Sequence, residues 1–197
     1  MASDETDPTR RRFLTGATSV VGGAGLLAGA APFVQSMTVS ARAQAAGAPV
    51  EADISKLEPG QMVTYEWRGK PVWVVRRTER MLATLEKLEP TLADPESNAS
   101  EQPPYCENPE RARDTRPDVL VMVGICTHLG CSPSYRPEPG GGLGANWLGG
   151  FFCPCHGSKY DISGRVYAGQ PAPKNMPIPP HMYLSENRLL IGEDNRG

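Results

Sequence analysis

The sequence has almost no excess charge of either sign, few aromatic residues and few cysteines. Its 197 residues carry 20 Lys+Arg and 22 Asp+Glu, and this balance argues against a nucleic-acid-binding protein, which normally presents a basic face. Five cysteines are too few for a fold of this length held together by disulfides alone. Aromatic residues make up 7%, whereas Gly (21) and Pro (20) are abundant. This composition favours a turn-rich, mostly β domain over a helical bundle.

Charge is also missing from one long segment near the N-terminus. Between Phe13 and Ala41 the sequence has no charged residue, and a helix of that length would span about 43 Å, more than the ~30 Å hydrocarbon core of a membrane. At its start, Thr9-Arg10-Arg11-Arg12-Phe13-Leu14 resembles a bacterial twin-arginine export signal; the alternative is an ordinary positively charged flank of a membrane helix. We therefore predict a cytoplasmic twin-arginine segment over residues 1–12 and one transmembrane anchor over 13–39. The alternative is a leader cleaved near Ala43-Gln44-Ala45.

Residues 40–49 are rich in Ala and Gly and carry little charge, which predicts a flexible hinge; a helical extension is the alternative, because alanine favours helix. The remaining chain, residues 50–197, is the predicted exported domain, which places it in the periplasm. The N-terminus would then lie on the cytoplasmic side of the inner membrane, with a single crossing.

Alternating and continuous apolar runs predict the strands of this domain. Residues 62–67 and 71–76 form a predicted hairpin around a turn at 68–70. Val119–Val123 is uniformly apolar and predicts a buried strand. Another strand begins at Phe151, and a closing hairpin surrounds residues 185–188. Helical spacing of apolar residues predicts one amphipathic helix over residues 78–88, followed by a polar, proline-containing excursion over 92–117.

Two short motifs hold four of the five cysteines and two of the three histidines. The first is Cys126-Thr127-His128-Leu129-Gly130-Cys131, and the second is Cys153-Pro154-Cys155-His156-Gly157-Ser158-Lys159-Tyr160. A zinc site could use two Cys and two His, but it would leave one cysteine without a role in each loop. A [2Fe–2S] cluster held by two Cys and two His would leave the same two cysteines free to form a disulfide, which suits an exported domain.

The two motifs together resemble those of the Rieske iron–sulfur proteins, specifically the disulfide-bearing type of bacterial ubiquinol–cytochrome c reductase, the cytochrome bc1 complex. The resemblance implies a Rieske-type antiparallel β sandwich with a small cluster-binding subdomain over about residues 124–175. It assigns one [2Fe–2S] cluster to four ligands: Cys126, His128, Cys153 and His156. It also implies a disulfide between Cys131 and Cys155.

The same resemblance assigns roles to residues around the cluster. Ser158 would donate to a bridging sulfide and Tyr160 to a cysteine sulfur, while Leu129 would shield the cluster from solvent. Hydrogen bonds to sulfur and neutral imidazole ligands both raise the reduction potential of such a cluster. Gly130, Pro154 and Gly157 would set the tight turns of the loops. A loop over residues 169–173 matches the family's proline-rich loop, except for the inserted Gln170.

The function implied by the resemblance is electron transfer from ubiquinol to cytochrome c1 by a mobile head, with coupled proton release. His156 would hydrogen-bond the quinol and accept its proton. The partners would be cytochrome b, cytochrome c1 and ubiquinol, in an obligate and dimeric complex without nucleic acid. The alternative is a Rieske subunit of a periplasmic molybdenum oxidase, such as arsenite oxidase. Cys106 is expected to be a free thiol, and His181 a surface or packing residue.

Overall fold

The computed structural model describes residues 7–38, 40 and 47–194. These residues belong to two compact units, which meet in the sequence between Ala45 and Ala46. Residues 41–46 carry most of the predicted hinge and lie outside the described residues, as do residues 1–6 of the predicted export segment and residue 39 of the predicted anchor.

The described part of the first unit contains one long helix, α1, over Pro8–Ser36. The Asp7 side chain caps it by accepting the backbone N–H of Thr9 at 2.9 Å, and Pro8 occupies its first turn, where a missing N–H costs nothing. Pro32 lies in the last turns. By length and composition α1 is the one helix of the described chain that could cross a membrane, with a mean hydropathy of 1.5.

Over its described residues, 47–194, the second unit has nine short strands in three antiparallel sheets, which confirms the mostly β prediction. The strand bounds are Val50–Asp53 (β1), Met62–Trp67 (β2), Lys70–Arg76 (β3), Val119–Val123 (β4), Ser134–Arg136 (β5), Gly150–Phe152 (β6), Lys159–Tyr160 (β7), His181–Ser185 (β8) and Arg188–Ile191 (β9). The sheet orders are β1-β9-β8, β2-β3-β4 and β5-β6-β7.

The sheet containing β3 and β4 is buried on both faces, which explains the continuous apolar run of β4. Successive side chains of a strand point to opposite faces, so Val72, Val74 and Val121 pack with Leu189 and Ile191 of the β1-β9-β8 sheet. The opposite face packs on the cluster-motif loops through a second core, whose members include Trp73, Leu120, Met122, Cys126, Phe151, Cys153 and Tyr160. The first cysteine of each motif is therefore anchored in a buried core.

The predicted hairpin of β2 and β3 is confirmed, with a shorter turn than expected. Met62 pairs with Val75 and Trp67 pairs with Lys70, so Lys70 already belongs to the strand. Arg68 and Gly69 make the turn with φ values of 53° and 68°, the conformation that two-residue hairpin turns use because its twist matches that of the strands.

The prediction of one helix over residues 78–88 is wrong. The structure has two single-turn helices, α2 over Glu79–Leu82 and α3 over Leu85–Leu88. The chain leaves the first helix at Thr84, whose hydroxyl donates to the Met81 carbonyl at 2.6 Å, a side-chain bond that competes with continued helix. Leu85 and Leu88 are buried as expected, whereas Met81 is only half-buried.

Residues 92–117 contain no strand, and this excursion is held by buried arginines instead. One 3₁₀ turn, Glu89–Thr91, precedes it and another, Pro104–Cys106, lies within it. Arg111 donates to the Ser163 carbonyl at 3.2 Å, and Arg77 donates to the Glu110 carbonyl and the Ser163 hydroxyl, both at 2.7 Å. Burial lowers the pKa of each of these arginines to about 10. Hydrogen bonds from Arg77 and Arg111 thus connect the turn over residues 161–165 to the excursion.

A buried ion pair completes this attachment. Arg165 Nε lies 2.7 Å from Asp161 Oδ2, and both side chains are almost fully buried. The Arg165 guanidinium also donates to the carbonyls of Pro95 and Leu85, at 3.2 and 3.1 Å. Cys106 is a free and buried thiol, as expected, and His181 is buried, which gives it the packing role.

Candidate metal centre

The first motif forms a closed turn at the end of β4. The Cys126 N–H donates to the Cys131 carbonyl at 2.8 Å, and the Gly130 N–H donates back to the Cys126 carbonyl at 3.1 Å. Gly130 has a φ of 82°, in the left-handed region that only glycine adopts without strain. The turn therefore buries Cys126 while its middle residues face outward.

The second motif repeats this turn between β6 and β7. The Cys153 N–H donates to the Ser158 carbonyl at 2.8 Å, and the Gly157 N–H donates to the Cys153 carbonyl at 2.9 Å. Gly157 also has a φ of 82°. Each loop thus has a buried cysteine at its start and a glycine four residues later, so the two motifs fold by the same local rule.

A disulfide between Cys131 and Cys155 joins the two loops, as expected. The sulfurs of Cys131, Cys153 and Cys155 lie within 4.8 Å of one another, but two of them are already bonded to each other. These three sulfurs are therefore the Cys131–Cys155 disulfide and the neighbouring ligand candidate Cys153, and they do not form a second metal site.

The structure brings the four predicted ligands into two pairs, and each pair has one member from each loop. The Cys126 and Cys153 thiols are buried and in contact, and burial is the main cause that raises the pKa of Cys153. The rings of His128 and His156 meet edge to face, with centroids 4.7 Å apart. His156 is exposed and His128 is half-buried.

This arrangement fits a cluster with two sulfur and two nitrogen ligands. The Nδ1 atom of His128 is buried and has no hydrogen-bond partner among the described residues. A buried polar atom is normally paired, and a ring nitrogen that ligates a metal satisfies this requirement through the metal. A pair of buried thiols and a pair of imidazoles, supplied by the same two loops, make up the donor set of a Rieske cluster.

Tyr160 reaches from β7 to the first loop. Its hydroxyl lies 3.2 Å from Cys126 Sγ and accepts the backbone N–H of Thr127 at 3.1 Å. The Thr127 hydroxyl oxygen also lies 3.3 Å from the Tyr160 hydroxyl, so the tyrosine proton has two acceptors within reach, one of which is the Cys126 sulfur. Burial raises the pKa of Tyr160 well above its usual range, so the group remains a donor.

Ser158 joins the second loop to the loop over residues 169–173. It is fully buried, and its hydroxyl oxygen accepts the Ala172 N–H at 3.1 Å. The proton of the same hydroxyl is then available for a second bond. Leu129 and Pro154 occupy outward positions instead: Pro154 is exposed, and Leu129 is 72% exposed.

Several residues that position these loops were not predicted from the sequence. Thr127 donates through its hydroxyl to the Lys174 carbonyl at 2.6 Å, and Gln170 accepts the Lys159 N–H at 3.2 Å. Thr127 lies inside the motif, and its position between two ligands was the available signal. The Asp161–Arg165 pair directly follows Tyr160, yet nothing in the sequence pattern distinguishes it from a surface pair.

Comparisons with known proteins agree with this geometry. Residues 110–180 match the model of the Rieske [2Fe-2S] domain, which supports the iron–sulfur interpretation and contradicts the zinc alternative. Residues 1–40 match the model "Ubiquitinol-cytochrome C reductase Fe-S subunit TAT signal", which confirms the export-signal prediction.

The relatives cover nearly the whole chain. The chain is 56% identical to the ubiquinol-cytochrome c reductase iron-sulfur subunit of Allochromatium vinosum, over 98% of this chain and 93% of that protein. It is 40% identical to the same subunit of Bradyrhizobium diazoefficiens, over 97% of this chain and 98% of that protein. Among solved structures it is similar to a chain of a hyperthermophilic respiratory Complex III, with 30% identity, a TM-score of 0.48 and coverage of 90% of this chain and 98% of that one.

The paired loops, their disulfide and the identity along the whole chain all lead to one conclusion. The chain belongs to the Rieske iron–sulfur subunits of ubiquinol–cytochrome c reductase, the electron-transfer subunits of the bc1 complex that carry a [2Fe–2S] cluster.

Proposed function

We propose that this chain oxidises ubiquinol with coupled proton release and passes the electron to cytochrome c1. It would do so as part of an obligate, dimeric complex with cytochrome b and cytochrome c1, because the His156 side chain is exposed on the domain and a quinol bound there needs a second surface to enclose it. The reaction site would be completed by the partner, and the chain would contribute the cluster and the residues around it.

The exposed tip formed by Leu129 and His156 is the observation that carries this proposal. Leu129 is 72% exposed, and its neighbour His128 packs against the exposed ring of His156 at 4.7 Å between centroids. A single exposed apolar side chain is ordinary on a protein surface, but Leu129 directly follows the ligand candidate His128 in the first motif loop. Beside an imidazole, it suits a partner pocket holding an apolar ring that bears a hydroxyl group, which is the chemistry of a quinol.

Four residues would hold the cluster: Cys126, His128, Cys153 and His156. When bound, the cluster supplies a one-electron acceptor whose potential is raised because two ligands are neutral imidazoles. His156 would direct its outer ring nitrogen to the quinol hydroxyl and accept the proton there. The disulfide between Cys131 and Cys155 would keep the two histidine-bearing loops together.

Hydrogen bonds and turns of the chain would tune this centre. Tyr160 would donate to the Cys126 sulfur and Ser158 to a bridging sulfide, which both stabilise added negative charge. Gly130, Pro154 and Gly157 would set the tight turns that keep the loop backbones close to the sulfurs, and Leu129 would shield the cluster from solvent.

The N-terminal part would anchor this head. We propose that α1 remains in the inner membrane as a single span, with the N-terminus in the cytoplasm and residues 50–197 in the periplasm. The match to an export signal and the apolar character of α1 support this arrangement. The Ala/Gly-rich hinge over 40–49 would let the head reach cytochrome b and cytochrome c1 in turn.

The test uses the complex in its own membranes. Ubiquinol is added, and formation of the reduced cluster is followed by EPR, with chemical reduction by ascorbate as the control. We expect ubiquinol to reduce the cluster, Leu129→Ala to slow that step, and ascorbate reduction to remain unchanged. Reduction by ubiquinol at an equal rate in the Leu129→Ala variant would contradict the role of the exposed tip. No feature of the described residues favours the molybdenum-oxidase alternative.

A further inference from the structure

One contact in the structure joins the second cluster loop to the loop over residues 169–173 through a side chain. The carboxamide oxygen of Gln170, Oε1, accepts the backbone N–H of Lys159 at 3.2 Å. Gln170 is half-buried and follows Gly169, whose φ of 69° turns the chain in a way that favours glycine.

This side chain takes the place of a main-chain partner. The Lys159 carbonyl accepts the Tyr167 N–H at 3.1 Å, and Tyr160 bridges to Val166, so residues 159–160 pair with 166–167 in an antiparallel manner. After Gly169 the main chain turns away. The Gln170 carboxamide then supplies the acceptor for the outward N–H of Lys159, which would otherwise depend on water.

The residue that Gln170 holds lies between two groups that face the cluster site. On one side, the Ser158 hydroxyl oxygen accepts the Ala172 N–H at 3.1 Å. On the other side, the Tyr160 hydroxyl lies 3.2 Å from Cys126 Sγ. Gln170 and Ala172 thus contact two consecutive residues, Lys159 and Ser158, at the start of β7. A shift of the Lys159 backbone would move both hydroxyl groups, because each is attached to a neighbouring backbone unit.

Lys159 also connects this edge to a third segment. Its Nζ donates to the Leu143 carbonyl at 3.0 Å, which attaches the glycine-containing loop before β6. With its N–H, carbonyl and ammonium groups all bonded, Lys159 is the point at which three loops meet. Gln170 supplies one of those three attachments.

We propose that Gln170 is a positioning residue that fixes the Lys159 backbone and thereby the direction of the Ser158 and Tyr160 hydroxyl groups toward the cluster sulfurs. This inference rests on the proposed donor roles of Ser158 and Tyr160. It assigns a function to the residue that distinguishes this loop from the proline-rich loop of the family. The expected consequence is that the Gln170 carboxamide stabilises the reduced form of the cluster.

The test replaces the acceptor while keeping the size of the side chain. Gln170→Met removes the oxygen, Gln170→Ala removes it with a smaller side chain, and Gln170→Glu retains an acceptor. The matched control is Gln61→Met, because Gln61 Oε1 accepts the Glu58 N–H at 3.1 Å in a turn away from the cluster loops. All variants are made in the full chain and studied in the assembled complex.

Two measurements are made on each variant. Amide hydrogen exchange of the peptide containing Lys159 should be about fivefold faster in Gln170→Met and Gln170→Ala, since one hydrogen bond contributes about 1 kcal/mol, and near the wild-type rate in Gln170→Glu. An EPR-monitored redox titration of Gln170→Met should show an about threefold less favourable reduction equilibrium, or ~30 mV at 59 mV per tenfold. Gln61→Met should leave both values unchanged.

The outcomes distinguish the positioning role of Gln170 from the donor roles of Ser158 and Tyr160 on which it rests. Unchanged exchange at Lys159, or an unchanged potential in Gln170→Met while Tyr160→Phe lowers it, would overturn the positioning role alone. An unchanged potential in both variants would overturn the donor assignments and the inference with them.

Discussion

Removal of the Tyr160 hydroxyl gives the most direct test of how the protein tunes its cluster. Tyr160→Phe keeps the ring, which is fully buried in the core beside Phe151 and Cys153. It removes the group that lies 3.2 Å from Cys126 Sγ. The Thr127 N–H, which donates to the same hydroxyl, loses its acceptor as well, so we also expect a modest loss of stability, about 1 kcal/mol.

The size of the effect follows from the charge of the acceptor. A hydrogen bond to a charged group contributes about 1.5–3 kcal/mol, and reduction adds one negative charge that the cluster shares with its sulfur ligands. If about 1 kcal/mol of this bond is realised only on reduction, the potential should fall by about 40 mV, at 59 mV per tenfold change and 1.36 kcal/mol per tenfold. The direction is downward, because the lost donor stabilised the more negative state.

The assay is an EPR-monitored redox titration of the complex in membranes, with Tyr65→Phe as the control. Tyr65 donates its hydroxyl proton to the Asp53 carbonyl at 2.7 Å, in a part of the domain that does not carry the cluster motifs. Both variants lose one tyrosine hydroxyl bond, but only Tyr160→Phe should shift the potential. Equal potentials in the two variants, with the cluster signal retained, would refute the reasoning.

Three further predictions concern stability and turnover. Asp161→Asn should destabilise the domain by about 3–5 kcal/mol, because the buried Arg165 side chain would lose the carboxylate that it pairs with, while Arg77 and Arg111 remain buried nearby. The readout is a lower urea midpoint of unfolding, and an unchanged midpoint would argue against this reasoning. Burial lowers the pKa of His181 from 6.5 to about 4, so the unfolded chain binds a proton at this residue more readily than the folded chain does. The free energy of unfolding should therefore fall by about 3 kcal/mol as the pH drops from 6.5 to 4, and this dependence on pH should be weaker in His181→Gln. Proline substitutions at Ala45 and Ala46 should slow turnover of the complex without changing the cluster potential, and unchanged turnover would count against a moving head.

The strands and the motif loops could be predicted because their signals are local. The β2–β3 hairpin follows from alternating residues around Arg68-Gly69, and β4 follows from an uninterrupted apolar run that is buried on both faces. The ligand candidates follow from the spacing of cysteine and histidine within each motif. The break between α2 and α3 was missed because the apolar spacing continues through it, while the hydroxyl of Thr84 bonds to the preceding turn.

The buried arginines could not be predicted from the sequence. Charged side chains are almost always exposed unless they are paired, and the partners of Arg165 include the Leu85 carbonyl, distant along the chain. Periodicity describes neighbours within one element and carries no information about such partners. For the same reason Gln170 was recognised as an insertion, but its contact with Lys159 became visible only in the folded chain.

The repeated turn of the two motif loops makes the frame of the site nearly symmetric. Each loop is closed by its own backbone hydrogen bonds, with a left-handed glycine at the same place. The two halves of the site therefore depend on the same backbone conformation, and a side chain at either glycine would strain its half in the same way.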